Sequence, residues 1–134
     1  MALDALCKDL TQDKPVLHCE FTVFGEPQRL QPDLELAVYR VVQEALSNIR
    51  KHALDATLVQ VELTFGKDNI KARVENNGAA FANQDVRSFV HSGHLGLAGM
   101  YERARLFGGT LAIKSDLNES TVVALQLPFF QDFI

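Results

Sequence analysis

The segment "DLELAVYRVVQEALSNIRKHA", Asp33 to Ala53, constrains the fold more than any other part of the chain. On a wheel turning about 100° per residue, Leu34, Val38, Val41, Val42, Ala45, Leu46, Ile49 and Ala53 share one broad apolar face. Pro32 fits the first helical turn, and Asp33 and Glu35 suit its positive end. A face this wide must be covered by another layer of structure.

The flanking segments supply that layer. Leu17, Cys19, Phe21 and Val23 alternate with polar residues, as do Val59, Val61, Leu63 and Phe65, and Ile70, Ala72 and Val74. Alternation of this kind reads as half-buried strands. Gly25–Pro32 is a loop rich in breakers. The turn "GKDN", Gly66–Asn69, should pair the second and third strands as a hairpin. No period holds from Asn76 to Gly93, which reads as a loop. Leu97, Met100, Tyr101, Ala104 and Phe107 follow helical spacing until Gly108-Gly109. Leu111–Ile113 and Thr121–Leu127 are two further strands, with Pro128 closing the last. A short helical pattern opens the chain. The expected fold class is α+β: a two-layer α/β sandwich, with a mixed sheet of about five strands and helices on one face.

At 134 residues the chain is one domain, 1–134, and can bury roughly two-thirds of its unfolded surface without staples. The net charge of −4 lacks a basic footprint, which argues against nucleic acid as ligand. No apolar run approaches the length of a membrane span, and no signal peptide is seen, so a cytoplasmic domain is expected. Cys7 and Cys19 make neither a disulfide framework nor a metal site, and Cys19 reads as a reduced core thiol.

Beside its apolar face the long helix carries a second stripe: Arg40, Glu44, Asn48 and Lys51, spaced four, four and three. Spacing alone fits a solvated face with pairs one turn apart. It also fits a metal–phosphate site. Glu44 and Asn48 offer the oxygen ligands that Mg²⁺ takes, and Arg50 and Lys51 could meet phosphate charge. Two glycine segments follow. "VENNGAAF", Val74–Phe81, places an Asn-Gly turn after a strand. "SGHLGLAGM", Ser92–Met100, puts Gly93, Gly96 and Gly99 around the start of a helix, where backbone N–H groups can approach an anion.

Together, in this order, "YRVVQEALSNIRKHA", "VENNGAAF" and "GHLGLAGMYERARLFGGTLAIKS" resemble the N box and the two glycine boxes of the ATP-binding catalytic domain of bacterial sensor histidine kinases. These belong to the gyrase/Hsp90/histidine-kinase/MutL ATPase superfamily. The similarity is strongest to nitrate-sensor and desaturase-sensor kinases and runs from about Leu34 to Pro128.

The resemblance implies a Bergerat-type ATPase fold, with ATP and Mg²⁺ as cofactors. It implies Glu44 as the catalytic residue that orients or activates groups at the phosphates, Asn48 as the Mg²⁺ ligand and Lys51 as the phosphate contact, with His52 beside it. It implies Asn76, Gly78 and Ala80 in the adenine-side loop, Gly93, Gly96 and Leu97 around the triphosphate, and Thr121 near the adenine pocket. Met100 and Arg103 match the following helix, Met100 as core. As partners it implies a phosphoacceptor histidine domain upstream in the same polypeptide, absent here together with the sensor domain, and through it a response regulator. It further implies a homodimer and no membrane contact by this domain.

Two residues depart from the family pattern. Asn76 stands where an Asp accepts a hydrogen bond from the adenine amino group and holds a water, and Ala80 stands where glycine is usual. Asn76 keeps one acceptor oxygen but loses the charge and adds two donors. The expected loss is about 1–2 kcal/mol, or about tenfold in Kd. In the turn before the last strand, Ser120 also replaces a glycine. None of His18, His52, His91 and His94 has the surroundings of a phosphoacceptor. The leading expectation is therefore an ATP-binding kinase domain that is inactive alone. The alternatives are a degenerate, partner-binding domain of the same fold, and an anti-sigma-type serine kinase of the same superfamily.

Overall fold

The computed structural model describes residues 2–53, 55–78, 97–115 and 120–129. Along the chain these form α1 (Leu3–Asp13), β1 (His18–Phe24), α2 (Pro32–His52), β2 (Leu58–Phe65), β3 (Asn69–Asn76), α3 (Leu97–Leu106), β4 (Thr110–Ser115) and β5 (Thr121–Pro128). The strands make one mixed sheet in the order β1-β2-β3-β5-β4. β1 and β2 run parallel, which the intervening α2 makes possible, and the other pairs are antiparallel. The expected hairpin is β2–β3, closed by a bond from the Gly66 N–H to the Asn69 carbonyl at 2.8 Å. Residues 79–93 of the expected loop lie outside the described residues.

Register explains where the core sits. Val59, Val61 and Leu63 on β2 pair with Asn76, Val74 and Ala72 on β3. Those three in turn pair with Thr121, Val123 and Leu125 on β5. All nine are buried, so they form rows on one face of the sheet. Seven of the apolar residues named on α2, Leu34 through Ile49, are buried with them, and Ala53 caps the helix. α2 packs on β3 and β5, α1 on β1 and α2, and α3 on α2 and β4. The row nearest the end of β3 is unusual. Beside Val59 it carries two polar residues, Asn76 and Thr121, both buried.

The turn after α3 depends on two glycines. Gly108 ends α3 with a φ of 70°, in the left-handed region, and the Gly109 N–H bonds back to the Ala104 carbonyl at 2.8 Å. A side chain on Gly109 would run into the Gln126 carbonyl and Leu127. This is the physical content of the stop expected at Gly108-Gly109. β1 departs from its alternation at the far end, where Val23 and Phe24 are exposed; among the described residues β1 is an edge strand that pairs with β2 alone.

Cys7 of α1 and Cys19 of β1 are free thiols that hydrogen-bond each other within the α1–β1 layer. That bond holds the Cys7 thiol below its ordinary pKa. The same bond, with burial, pushes Cys19 up.

Ile70 is 1% exposed and lies across from Phe65 and Leu127 on the two neighbouring strands. Ile70→Ala should lower stability by about 3 kcal/mol through lost burial and the cavity left behind. Urea unfolding should show a lower midpoint with an unchanged slope.

Candidate functional site

α2 does not present its polar stripe evenly. Arg40 and Lys51 are exposed and Glu44 is half-buried, whereas Asn48 is only 5% exposed. Asn48 leans off the stripe toward the buried face, between Ala45 and Ile49. There it lines a small cavity with Ala45, Ile49, Val74, Asn76, Thr121 and Val123. The enclosed space is about 10 Å³, room for roughly one water-sized group. Its walls are aliphatic, and its polar groups are two carboxamides and one hydroxyl. Asn48 is 5% exposed, and no buried side-chain nitrogen or oxygen among the described residues is left without a partner, so its carboxamide meets the cavity at an accessible surface.

The base of the cavity is built by the end of β3. The Asn76 Oδ1 accepts the Gly78 N–H at 2.8 Å, a buried bond two residues on that turns the chain as β3 ends. The Thr121 hydroxyl donates to the Gly78 carbonyl at 3.4 Å. Asn77 is more than a turn residue. Its Oδ1 accepts the Thr57 and Leu58 N–H groups at 2.8 and 3.0 Å, and its Nδ2 donates to the Thr57 Oγ1 at 2.8 Å. It thus ties the exit of β3 to the start of β2. Gly78 is required by space: a Cβ there would sit 2.8 Å from the Asp55 Oδ1 and 3.0 Å from the Ala56 Cβ.

Glu44 faces a neighbouring space. It lines a cleft of about 410 Å³ between α2 and α3 with Arg40, Gln43, Gly99, Met100 and Arg103. Arg40 and Arg103 are exposed cations on either side of this carboxylate, and Arg40 donates to the Gln43 Oε1 at 3.0 Å.

The structure therefore brings together Asn48, Asn76, Gly78 and Thr121, and sets Glu44 one helical turn along α2 from Asn48. Lys51 is exposed and lines neither space. Leu97 is wholly buried in the core, as is most of Met100. Ala80, Gly93 and Gly96 lie outside the described residues, as does the His52 side chain. Sequence reading missed Asp55 and Ala56, which crowd Gly78, and the aliphatic pair Val74 and Val123. The alternation of β3 marks Val74 only as core, and the sequence places Val123 only within the strand expected over Thr121–Leu127.

Residues 33–131 match the sequence pattern described as histidine kinase-, DNA gyrase B- and HSP90-like ATPase. The chain belongs to that family. It is 39% identical over 112 residues to the oxygen sensor histidine kinase NreB of Staphylococcus carnosus, covering 84% of this chain and 31% of that protein. It is 33% identical over 109 residues to the histidine-protein kinase/phosphatase DegS of Brevibacillus brevis, covering 81% of this chain and 27% of that protein. This domain of the ATPase family thus spans less than a third of those relatives and is homologous to sensor histidine kinase domains. Among solved structures, the ATP-binding domain of PrrB from Mycobacterium tuberculosis superposes with a TM-score of 0.69 at 26% identity, covering 96% of this chain and 92% of that one. The histidine kinase domain of the blue-light-activated kinase of Erythrobacter litoralis shares the fold, with a TM-score of 0.74 at 16% identity over 95% of this chain and 63% of that one. The α+β architecture expected from the sequence is the architecture of this ATPase family. Among the described residues no helix is long and apolar enough to cross a membrane.

Gly78→Ala should cost about 1–2 kcal/mol, because the added methyl must displace Ala56 and Asp55. Thermal unfolding of the purified variant measures it.

Proposed function

We propose that the chain is the ATP- and Mg²⁺-binding catalytic domain of a two-component sensor histidine kinase, serving a histidine on a separate domain of the same polypeptide. The observation that carries this reading is the Asn48 carboxamide. Asn48 is 5% exposed and lines a cavity with Asn76 and Thr121, within a chain of this ATPase family.

The residues fit such a group. No cluster of three acidic, His or Cys side chains is present among the described residues, so a divalent cation would not find a cage of protein ligands. Mg²⁺ ordinarily takes one or two protein oxygens, with phosphate and water completing its shell. Asn48 supplies one such oxygen. The aliphatic side chains Ala45, Ile49, Val74 and Val123 would meet one edge of a flat base whose bulk lies outside the 10 Å³ cavity, and Asn76 and Thr121 would orient that edge. Glu44, half-buried on the next turn, would orient groups at the phosphates. Lys51 and Arg103, both exposed, are free to swing toward phosphate charge. Bound ATP would supply the phosphoryl group, and its metal would neutralise the developing charge. The protein's part is then positioning and charge stabilisation.

This reading implies a cytoplasmic domain, working within a homodimer and passing phosphate through the acceptor histidine to a response regulator. The alternative, a degenerate partner-binding domain of the same fold, draws support from Asn76, because its oxygen is already engaged by Gly78.

Thermal shift with nucleotide decides between them. At a hundredfold excess over Kd, ADP with Mg²⁺ should stabilise the fold by about 2.7 kcal/mol. The Mg²⁺-dependent part should disappear in Asn48→Ala. An unchanged melting temperature at millimolar ADP and Mg²⁺ would sink the catalytic reading in favour of the degenerate one.

A further inference from the structure

α1 is held to the domain by a narrow layer. Leu3, Cys7 and Leu10 make its buried stripe, about one residue per turn, and the helix packs on β1 and α2. A bond from the Leu17 N–H to the Lys14 carbonyl at 2.9 Å closes the turn that leads from α1 into β1. Cys19 follows near the start of β1, across from Val59 of β2, and packs against the core. Its thiol and that of Cys7 hydrogen-bond each other, so the two sulfurs are in contact across the α1–β1 layer. A disulfide needs them at about 2.05 Å. α1, an 11-residue helix joined to the sheet through a turn, can supply that last movement.

The two thiols are unequal. Cys19 donates the shared hydrogen, which favours the thiolate at Cys7 and opposes it at Cys19. Burial opposes the charge at both, with Asp4 adding to this at Cys7 and Glu20 at Cys19. The thiolate is the nucleophile of sulfur chemistry, so Cys7 is the sulfur that reacts first. Cys7 is 5% exposed and Cys19 is half-buried, so a small oxidant reaches the pair past Cys19.

We infer that Cys7 and Cys19 are a redox-sensitive pair that a peroxide converts into an intramolecular disulfide, clamping α1 to β1. The Cys7 thiolate attacks one peroxide oxygen. An S–O bond forms, the O–O bond breaks, and the departing hydroxide takes up a proton to become water. The Cys19 sulfur then attacks the sulfur of the Cys7 sulfenic acid. The S–S bond forms, the S–O bond breaks, and hydroxide leaves with the Cys19 proton as a second water. The two thiols supply the two electrons that reduce the peroxide. In a reducing compartment disulfides of this kind are transient and serve catalysis or redox sensing. The clamp reaches the candidate site, because Leu6, Asp9 and Leu10 of α1 line a cleft with Glu44 of α2.

The test treats the purified chain with hydrogen peroxide, then with dithiothreitol, and reads intact mass, free thiols and melting temperature. Oxidation should remove both free thiols, with the mass of two hydrogens lost and no link between chains. The melting temperature should rise by about 10 °C, because closing the loop from Cys7 to Cys19 restricts the unfolded chain. Dithiothreitol should reverse each change. Cys19→Ser should instead stop the reaction at the Cys7 sulfenic acid, which dimedone captures. The readouts on the unaltered chain need no variant to fold. Two free thiols after peroxide, added oxygen in place of lost hydrogen, or a disulfide between two chains overturns the inference. A disulfide that leaves the melting temperature unchanged overturns the clamp. A folded Cys19→Ser chain that gives no dimedone adduct overturns Cys7 as the first sulfur to react.

Discussion

The burial of one face of α2 against the sheet is the contact on which everything else depends. It sets Val38, Val41, Val42, Ala45 and Ile49 over the rows formed by β2, β3 and β5. Burial of this kind contributes on the order of 1.5–3 kcal/mol per large aliphatic side chain. The same contact fixes the azimuth of the helix. Once Ala45 and Ile49 are pressed onto the sheet, Asn48 has nowhere to go but the edge of that interface, and Glu44 is turned away from the sheet to line the clefts beside α1 and α3. Helix orientation is therefore decided by apolar area, and the polar groups follow.

A carboxamide placed in that position is expensive unless something takes it up. Leaving a buried polar group unsatisfied costs about 1–3 kcal/mol. The end of β3 shows how the chain manages most of this cost locally. Asn76 gives its oxygen to Gly78, Thr121 gives its hydrogen to the Gly78 carbonyl, and Asn77 stitches β3 to β2. No buried side-chain nitrogen or oxygen among the described residues is left without a partner, so the Asn48 carboxamide meets the cavity at an accessible surface, not as a sealed orphan.

Much of this was legible in the sequence, and the reason is periodicity. The apolar face of α2 and the alternation of β2, β3 and β5 are local patterns, and they fold where they point. Gly108-Gly109 also reads correctly, because a left-handed residue at a helix end has a local signature. Register is different. Nothing local says that Asn76 lies across from Thr121 forty-odd positions later, or that Gly78 is glycine because Asp55 and Ala56 come close. The family pattern marked these residues by type, yet it could not say how their hydrogens are disposed. The sequence alone counts Asn76 as retaining an acceptor. The structure spends that acceptor on Gly78 and leaves a donor in its place.

That difference separates what the substitution does to the fold from what it does to the site. An aspartate and an asparagine hold the Gly78 N–H equally well in geometry, so the turn, the strand exit and the Gly78 carbonyl facing Thr121 all survive the exchange. Burying the charge of an aspartate there would cost stability that the neutral carboxamide does not. The chemistry offered to a ligand differs as well, because the second terminal atom is a donor in the amide and an acceptor in the carboxylate. On the α2 side, Asn48 depends on a different element and a different packing contact, yet it lines the same small cavity as Asn76 and Thr121, so a change of size or charge on either side of that cavity is felt on the other.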